Sequence, residues 1–221
     1  MPTQYEISIN PTSAKGDILS HDGSSRIRIA AGTNGQILTA SSSAGLLWKT
    51  FSTSADSDVA LIADVTTTSS LSIYTISSIP QTYQDLKLLV ISDSSADTGS
   101  IRVSLESTQG TNHHEVQVRQ ANNGTVSATY ATGVSYFNLD SGMQNLVKAF
   151  NDVDIFDYAS TDKFKTVLHR TGNYLEGYGT NHYGSGYYAN TTAVSTIVLR
   201  GNGPTMDSGA RFILYGIKRS S

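Results

Sequence analysis

Between residues 70 and 217 the chain repeats one pattern: short runs of apolar and polar residues, separated by turn sequences such as Asp-Thr-Gly, Asn-Asn-Gly and Gly-Asn-Gly-Pro. Alternation over a few residues is typical of β-strands that bury one face. In Asp85–Ser92, for example, Leu86, Leu88 and Val90 fall on one side. Many short strands without an alternating helical pattern predict an all-β fold, a β-sandwich or a barrel.

The predicted strands span this whole segment: Leu71–Ser77, Asp85–Ser92, Ser100–Glu106, Glu115–Arg119, Thr125–Tyr130, Val134–Leu139, Val153–Asp157, Phe164–His169, Ala193–Arg200 and Arg211–Ile217. Gly142–Phe150 has apolar residues at helical spacing and is the one helix candidate, with an edge strand as the alternative. The last strand is apolar on both sides, which predicts an interior strand or one buried at a subunit interface. Gly216 permits a bulge or a close approach to its backbone.

Composition supports the β prediction and excludes several classes of function. The 221 residues include 56 serines and threonines, and only 15% are charged. The net charge of −3 argues against nucleic-acid binding. No apolar run is long enough for a membrane span, and the N-terminus has neither the basic start nor the apolar core of a signal peptide. Because the chain has no cysteine, disulfides, zinc fingers and thiol chemistry are excluded.

The N-terminal residues 1–17 are polar apart from Tyr5, Ile7 and Ile9, which alternate and precede Pro11. This pattern predicts an extended arm that buries its apolar face on another protein. A frayed tail is the alternative.

Residues 18–50 form a series of very short strands and turns, with hairpin signals at Asp22-Gly23 and Asn34-Gly35. Their apolar residues are too few to form a core in one copy, so several copies must cover one another. The segment is therefore predicted to be an oligomerising shaft. Its contact residues are Ile18, Ile27, Ile29, Ile37, Leu38 and Trp48. Residues 51–69 are predicted to be a linker with one short strand or helical turn at 59–62, and residues 70–221 a β-sandwich.

Part of the shaft resembles a repeat in bacteriophage tail fibres and related virion proteins. The resemblance lies in Lys15–Leu19, Arg26–Ile29, Gly32–Ala40 and Leu46–Trp48, which keep the order of the pieces of that repeat. Position 27 carries Ile where the family often has Leu. The match covers about 35 of the residues.

The C-terminal segment is similar to a sandwich domain of phage fibres and head-associated proteins, at Ile76–Leu88, Thr192–Leu199 and Gly209–Ile217. The resemblance implies a homotrimeric, all-β appendage on the virion surface, with a jelly-roll-like C-terminal domain. It implies no catalytic mechanism, and it leaves open whether the appendage sits on the head, neck or tail.

Two polar clusters contain the residue types found in metal or catalytic sites. In His113-His114-Glu115, strand alternation places His113 and Glu115 on one face and His114 on the other, which gives too few converging ligands for zinc. The carboxylates around 152–157 lack the order of a calcium loop, and a solvated strand face is expected instead. The sequence therefore indicates no metal, no cofactor and no enzymatic activity.

The candidate ligand-binding segment is the tyrosine-rich stretch 173–188, interpreted as a loop. Its proposed contacts are Tyr174, Tyr178, Asn181, His182 and Tyr183. Tyrosine rings offer contact area at low entropic cost, and the polar partners can bond hydroxyl groups, as a glycan or a flat protein epitope requires. An aromatic plug between the sandwich and its neighbour is the alternative.

These observations favour a non-enzymatic phage fibre whose arm docks on the virion and whose sandwich recognises a host-surface glycan or protein. A structural head-decoration, neck or collar protein is the alternative. A glycan-cleaving spike is disfavoured, because the chain has no room for a long β-helix.

Overall fold

The computed structural model describes residues 15–21, 23–42, 45–50, 58–92, 99–106, 110–121, 124–139, 148–175, 178–203 and 205–219, with the backbone alone at 173–175 and 178–180. The expected contacts of the arm, Tyr5, Ile7 and Ile9, lie outside these residues. The described part of the chain contains no helix, and so none that could cross a membrane. The all-β prediction is confirmed. The chain divides into two compact units, Met1–Asp56 and Ser57–Ser221.

The first unit contains two separate antiparallel pairs. They are β1 (Ile18–His21) with β2 (Arg26–Ile29), and β3 (Gln36–Ser41) with β4 (Gly45–Thr50). Asn34-Gly35 forms a turn, yet β3 pairs with β4 and not with β2. The turn is closed locally, because the Gln36 N–H donates to the Thr33 carbonyl at 3.1 Å and the Gln36 side chain accepts from the Thr33 N–H at 2.8 Å.

The predicted shaft residues are all at least partly exposed in the single chain. Ile18 lies opposite Ile29, and Ile27 follows on the same face. Leu38 lies opposite Trp48, whose ring covers Gly32 and whose Nε1 donates to the Ala30 carbonyl at 2.6 Å. Ile37 points to the other face of its pair. No described residue between 15 and 50 is buried.

The second unit contains the other twelve strands, all in antiparallel pairs. They are β5 (Val59–Thr66), β6 (Ile73–Ile76), β7 (Asp85–Ser92), β8 (Ser100–Ser104), β9 (His113–Ala121), β10 (Val126–Val134), β11 (Phe137–Asn138), β12 (Ala149–Phe156), β13 (Lys165–Leu175), β14 (Tyr178–Tyr188), β15 (Ile197–Asn202) and β16 (Arg211–Ile217). The large sheet has the order β10-β9-β14-β13-β12-β7-β16-β5, and the small sheet the order β11-β8-β15-β6.

Both sheets contribute to one buried apolar core, as in a β-sandwich. From the large sheet come Leu86, Leu88 and Val90 of β7, as the alternation predicts, while Ile101 and Leu199 come from the small sheet. The division into eight and four strands differs from the eight strands in total of a simple jelly roll. The likeness to a jelly roll is therefore limited to the packing of two antiparallel sheets.

The last strand, β16, lies inside the large sheet between β7 and β5, and apolar residues of both of its faces are buried: Phe212, Ile213 and Leu214. Gly216 is required for packing, since a Cβ there would overlap the ring of Tyr83. A bulge against β5 follows Leu214. The prediction of an interior strand with a close approach at the glycine is confirmed.

Three segments differ from the sequence expectations. Val59–Thr66, expected in the linker, is a full edge strand of the large sheet because it pairs along its length with β16. Of the possible helix at 142–150, Ala149 and Phe150 belong to strand β12, and 140–147 lie outside the described residues. The tyrosine-rich stretch is not a loop, since β14 pairs with β13 on one side and with β9 on the other.

Candidate functional site

Strand β14 presents two chemically different faces. Tyr183, Ser185 and Tyr187 point away from the small sheet, and Tyr183 and Tyr187 are 62% and 43% exposed. His182 and Tyr188, at the alternate positions, are 1% and 3% exposed and point into the sandwich. Strict alternation along an extended strand produces this separation.

The outward rings form a parallel stack across three segments of chain. His114 on β9 lies against Tyr187 with ring centroids 4.5 Å apart and an interplanar angle of 3°. Phe164, just before β13, continues the stack at 6.1 Å from Tyr187 and 9°. Stacked rings hold one another in place, so less side-chain entropy remains to be lost when a partner binds.

Apolar residues on the neighbouring strands extend this surface. Val116 and Val118 of β9, Leu168 of β13 and Tyr130 of β10 are all exposed. We call the combined surface the aromatic face; it consists of His114, Val116, Val118, Tyr130, Phe164, Leu168, Tyr183 and Tyr187. A contiguous exposed apolar patch of this kind marks a binding surface in soluble proteins.

A charged network borders the aromatic face on β12 and β7. Arg170, the cross-strand partner of Tyr183, donates from Nε to Asp152 at 2.6 Å. Lys87 contacts Asp152 and bonds Asp154 at 2.9 Å. Partial burial alone would lower the pKa of Lys87, but its hydrogen bonds to both carboxylates raise it. Because these carboxylates are paired with cations, they form an ion-pair network and not the solvated acidic face expected from sequence.

The inner face of the same hairpin is crowded with polar side chains. The ring of His169 on β13 lies over Gly184 of β14, where any Cβ would overlap it. Its Nε2 is 4.0 Å from a carboxylate oxygen of Glu115. Neither ring nitrogen of His169 has a hydrogen-bond partner within the described ranges. Glu115 accepts the Asn138 N–H at 3.0 Å and so links the two sheets.

Two buried histidines are held neutral by this environment. Burial lowers the pKa of His169 to about 4, and the neighbouring His182 contributes in the same direction. Burial also lowers the pKa of His113 to about 4. His113 is further fixed by hydrogen bonds, since its Nε2 accepts the Leu105 N–H at 3.2 Å and its Nδ1 lies 3.2 Å from the Val134 carbonyl.

The structure separates the predicted ligand-binding residues. Tyr183 and Asn181 are exposed on the outer side of β14, whereas His182 is buried on the inner side. Tyr174 and Tyr178 lie in the paired backbone near the end of the hairpin, and their side chains are outside the described part. A ligand on the outer surface would therefore contact Tyr183 without contacting His182.

The structure also places the His-His-Glu cluster. His113 and Glu115 are buried on the inner face, and His114 is on the outer face, as the alternation predicts. Within the residues that are described, no group of three His, Asp or Glu side chains has a geometry that could hold a metal ion.

Sequence reasoning missed most of the aromatic face, including Val116, Val118, Leu168 and Phe164. Strand pairing brings these residues together from distant parts of the chain. Alternation does place Val116 and Val118 on the same side as His114, but nothing local indicates that β14 inserts between β9 and β13. The alternation of apolar residues on β9 was the available signal, and it does not show which strand lies beside β9.

No protein-family model matches this chain, and no curated protein or solved structure shows significant similarity to it.

Proposed function

We propose that this chain is a non-enzymatic virion protein of a bacteriophage, a trimeric fibre whose β-sandwich binds a host-surface glycan through the aromatic face. The observation that carries the binding proposal is the ring of Tyr183, which is 62% exposed on the same face of β14 as the stacked ring of Tyr187. Sugars bind with their apolar C–H surfaces on aromatic rings and their hydroxyls on polar groups at the edge. Arg170 and Asn181 lie at that edge.

The trimeric shaft is supported by the first unit. Its two hairpins bury no described residue, and isolated two-stranded hairpins are marginal in water. Association of several copies would cover Ile18, Ile27, Ile29 and Trp48. Three copies would also present three equivalent binding faces, and linking sites raises avidity by roughly 10²–10⁴. The choice of three copies, the docking of Tyr5, Ile7 and Ile9 on another virion protein and the phage origin all depend on the family resemblance.

The test is binding of the full chain to an array of bacterial surface glycans. We expect Tyr183→Ala and Tyr187→Ala each to lower the retained signal by about tenfold or more, the loss of one ring's contact. Tyr215→Ala is the matched control, because Tyr215 points outward on the same face of the sheet but from β16, which is separated from β14 by β13, β12 and β7. Binding of no glycan by the wild-type chain, or an equal loss in the control, would contradict the proposal.

A specific observation also favours the structural alternative, a head-decoration, neck or collar protein. Apolar side chains are exposed again at the far edge of the sheet, where Val59 and Leu61 of β5 are exposed. A second exposed apolar surface, beyond the charged network on β12 and β7, suits a permanent protein contact. Gold-labelled antibody against residues 70–221 on intact virions separates the two: label on the tail or its fibres supports host recognition, and label on the head or neck supports decoration.

A further inference from the structure

Strand β10 is an unprotected edge of the large sheet. It pairs with β9 on one side, and no described strand pairs with its other side. From Val126 to Tyr130 its side chains are exposed on both faces of the sheet. Val126 is 63% exposed and Tyr130 is 76% exposed. Proteins ordinarily protect such an edge with charge, proline or a cover, because its free N–H and C=O groups pair with other strands.

The other edge of the sheet shows the ordinary protection. On β5, Asp64 is exposed and is bonded through both carboxylate oxygens to Arg211, at 2.8 and 2.6 Å. By contrast, no charged residue and no proline occurs between Arg119 and Asp140. An exposed strand ordinarily carries charged residues. Charged residues on two identical strands would repel each other where they came close, so the absence of charge allows β10 to pair with a second copy of itself.

The backbone of β10 is oriented for such pairing. Across the hairpin the Ala121 N–H donates to the Thr125 carbonyl at 2.9 Å, so Thr125 points its polar groups toward β9. By alternation Val126, Ala128 and Tyr130 point theirs toward the open edge. A register irregularity between Ala131 and Val134 ends the regular segment. Residues 126–131 are therefore the segment whose outward backbone groups can pair with another strand.

We propose that β10 is a self-association interface, at which two copies of this chain pair antiparallel around Ala128 and join their large sheets. In this register Ala128 faces its own copy, Val126 faces Tyr130, and Ser127 faces Thr129. The pairs that result are an aliphatic–aromatic pair on the outer face and a hydroxyl pair on the inner face, both favourable across strands. The inference does not depend on glycan binding; the contact would link two trimers, or two single chains if the shaft does not trimerise.

The test uses the absence of native cysteine in the full chain. The hydrogen-bonded pair at Ala128 has a Cα separation of about 5.5 Å, within the range of a disulfide, so Ala128→Cys should form a covalent dimer on mild oxidation. Ser127→Cys is the matched control, since the two copies of residue 127 would be about 8 Å apart, too far to bridge. We expect at least a fivefold higher dimer yield for Ala128→Cys on a non-reducing gel.

A second measurement needs no crosslink. Ala128→Lys replaces an exposed alanine, so the fold is retained, and it places two ammonium groups opposite each other. We expect the mass of the assembly from light scattering to fall by half relative to wild type. Equal masses for the two chains, or equal dimer yields for the two cysteine variants, would overturn the proposal. In those cases the edge is free or is occupied by a strand of another protein.

Discussion

Acidification should destabilise the sandwich well above the pH at which its carboxylates titrate, because two of its histidines are buried and neutral. His113 and His169 have pKa values of about 4 in the folded chain, against about 6.5 when unfolded. Between these values the unfolded state binds more protons than the folded state. Stability is therefore complete above about pH 6.5 and is lost as the pH falls toward 4.

The magnitude follows from these pKa values. At pH 5 an unfolded histidine is almost fully protonated and a folded one with a pKa of 4 is mostly neutral, a difference of about 2 kcal/mol per group. His113 and His169 together should cost about 4 kcal/mol between pH 7 and pH 5. In a unit of this size that lowers Tm by roughly 10 °C. Such a loss is a large part of the 5–15 kcal/mol by which folded domains are typically stable.

The assay is thermal unfolding of the full chain at pH 7, 6 and 5, followed by near-ultraviolet circular dichroism of tyrosine. Every tyrosine except Tyr5 lies in the second unit, so the signal reports on the sandwich. His169→Leu should remove about half of the pH dependence. It should cost little at pH 7, because neither ring nitrogen of His169 has a hydrogen-bond partner among the described residues. His21→Gln is the control, since His21 is exposed.

Three results would refute this reasoning. The first is a Tm that does not change between pH 7 and pH 5, which would mean that these histidines are protonated in the folded chain. The second is an unchanged slope in His169→Leu, which would place the titrating group elsewhere. A slope altered by His21→Gln would show that the signal does not come from buried groups.

Two further predictions concern the inner face and its border. Gly184→Ala should cost at least about 2 kcal/mol in urea unfolding, because the new Cβ overlaps the His169 ring, and the outward Ser185→Ala should cost less than about 0.5 kcal/mol. Lys165→Met should cost about 3 kcal/mol, since the buried ammonium of Lys165 donates to three backbone carbonyls, at 2.7, 3.1 and 3.1 Å. Lys163→Met, at an exposed position, should be near neutral. An equal cost for either variant and its control would contradict these assignments.

The strand predictions were most accurate where the residues of a single strand show a clear apolar pattern. Asp85–Ser92 and Arg211–Ile217 match the observed strands at both ends, because the alternating or two-sided apolar residues of each run are bounded by polar turn residues. Alternation alone also predicted that His113 and His114 lie on opposite faces of the strand. In these cases the local pattern and the tertiary environment agree.

The prediction failed at β14 because the residues there have low intrinsic strand propensity. Glycines at 184 and 186 and a polar Asn-His pair resemble a loop. The structure explains the glycines: His169 covers one, and the backbone carbonyl of His114 and the ring of Phe137 approach the other. Those neighbours come from other strands. Only the tertiary fold shows that small residues are required, and a single sequence cannot distinguish that requirement from flexibility.

The same hairpin explains why binding and stability can be altered separately in this protein. On the inner side the His169 ring leaves no room for a Cβ at Gly184, so a side chain added there acts on folding. Outer positions such as Tyr183 and Tyr187 contact solvent on one side, so removing a ring alters the surface and leaves the core intact. If Tyr183→Ala lowers ligand binding while Tm stays within a few degrees of wild type, the loss is a loss of contact. If Tm falls as much as in Gly184→Ala, the ring serves the fold, and the aromatic face loses its main support as a binding site.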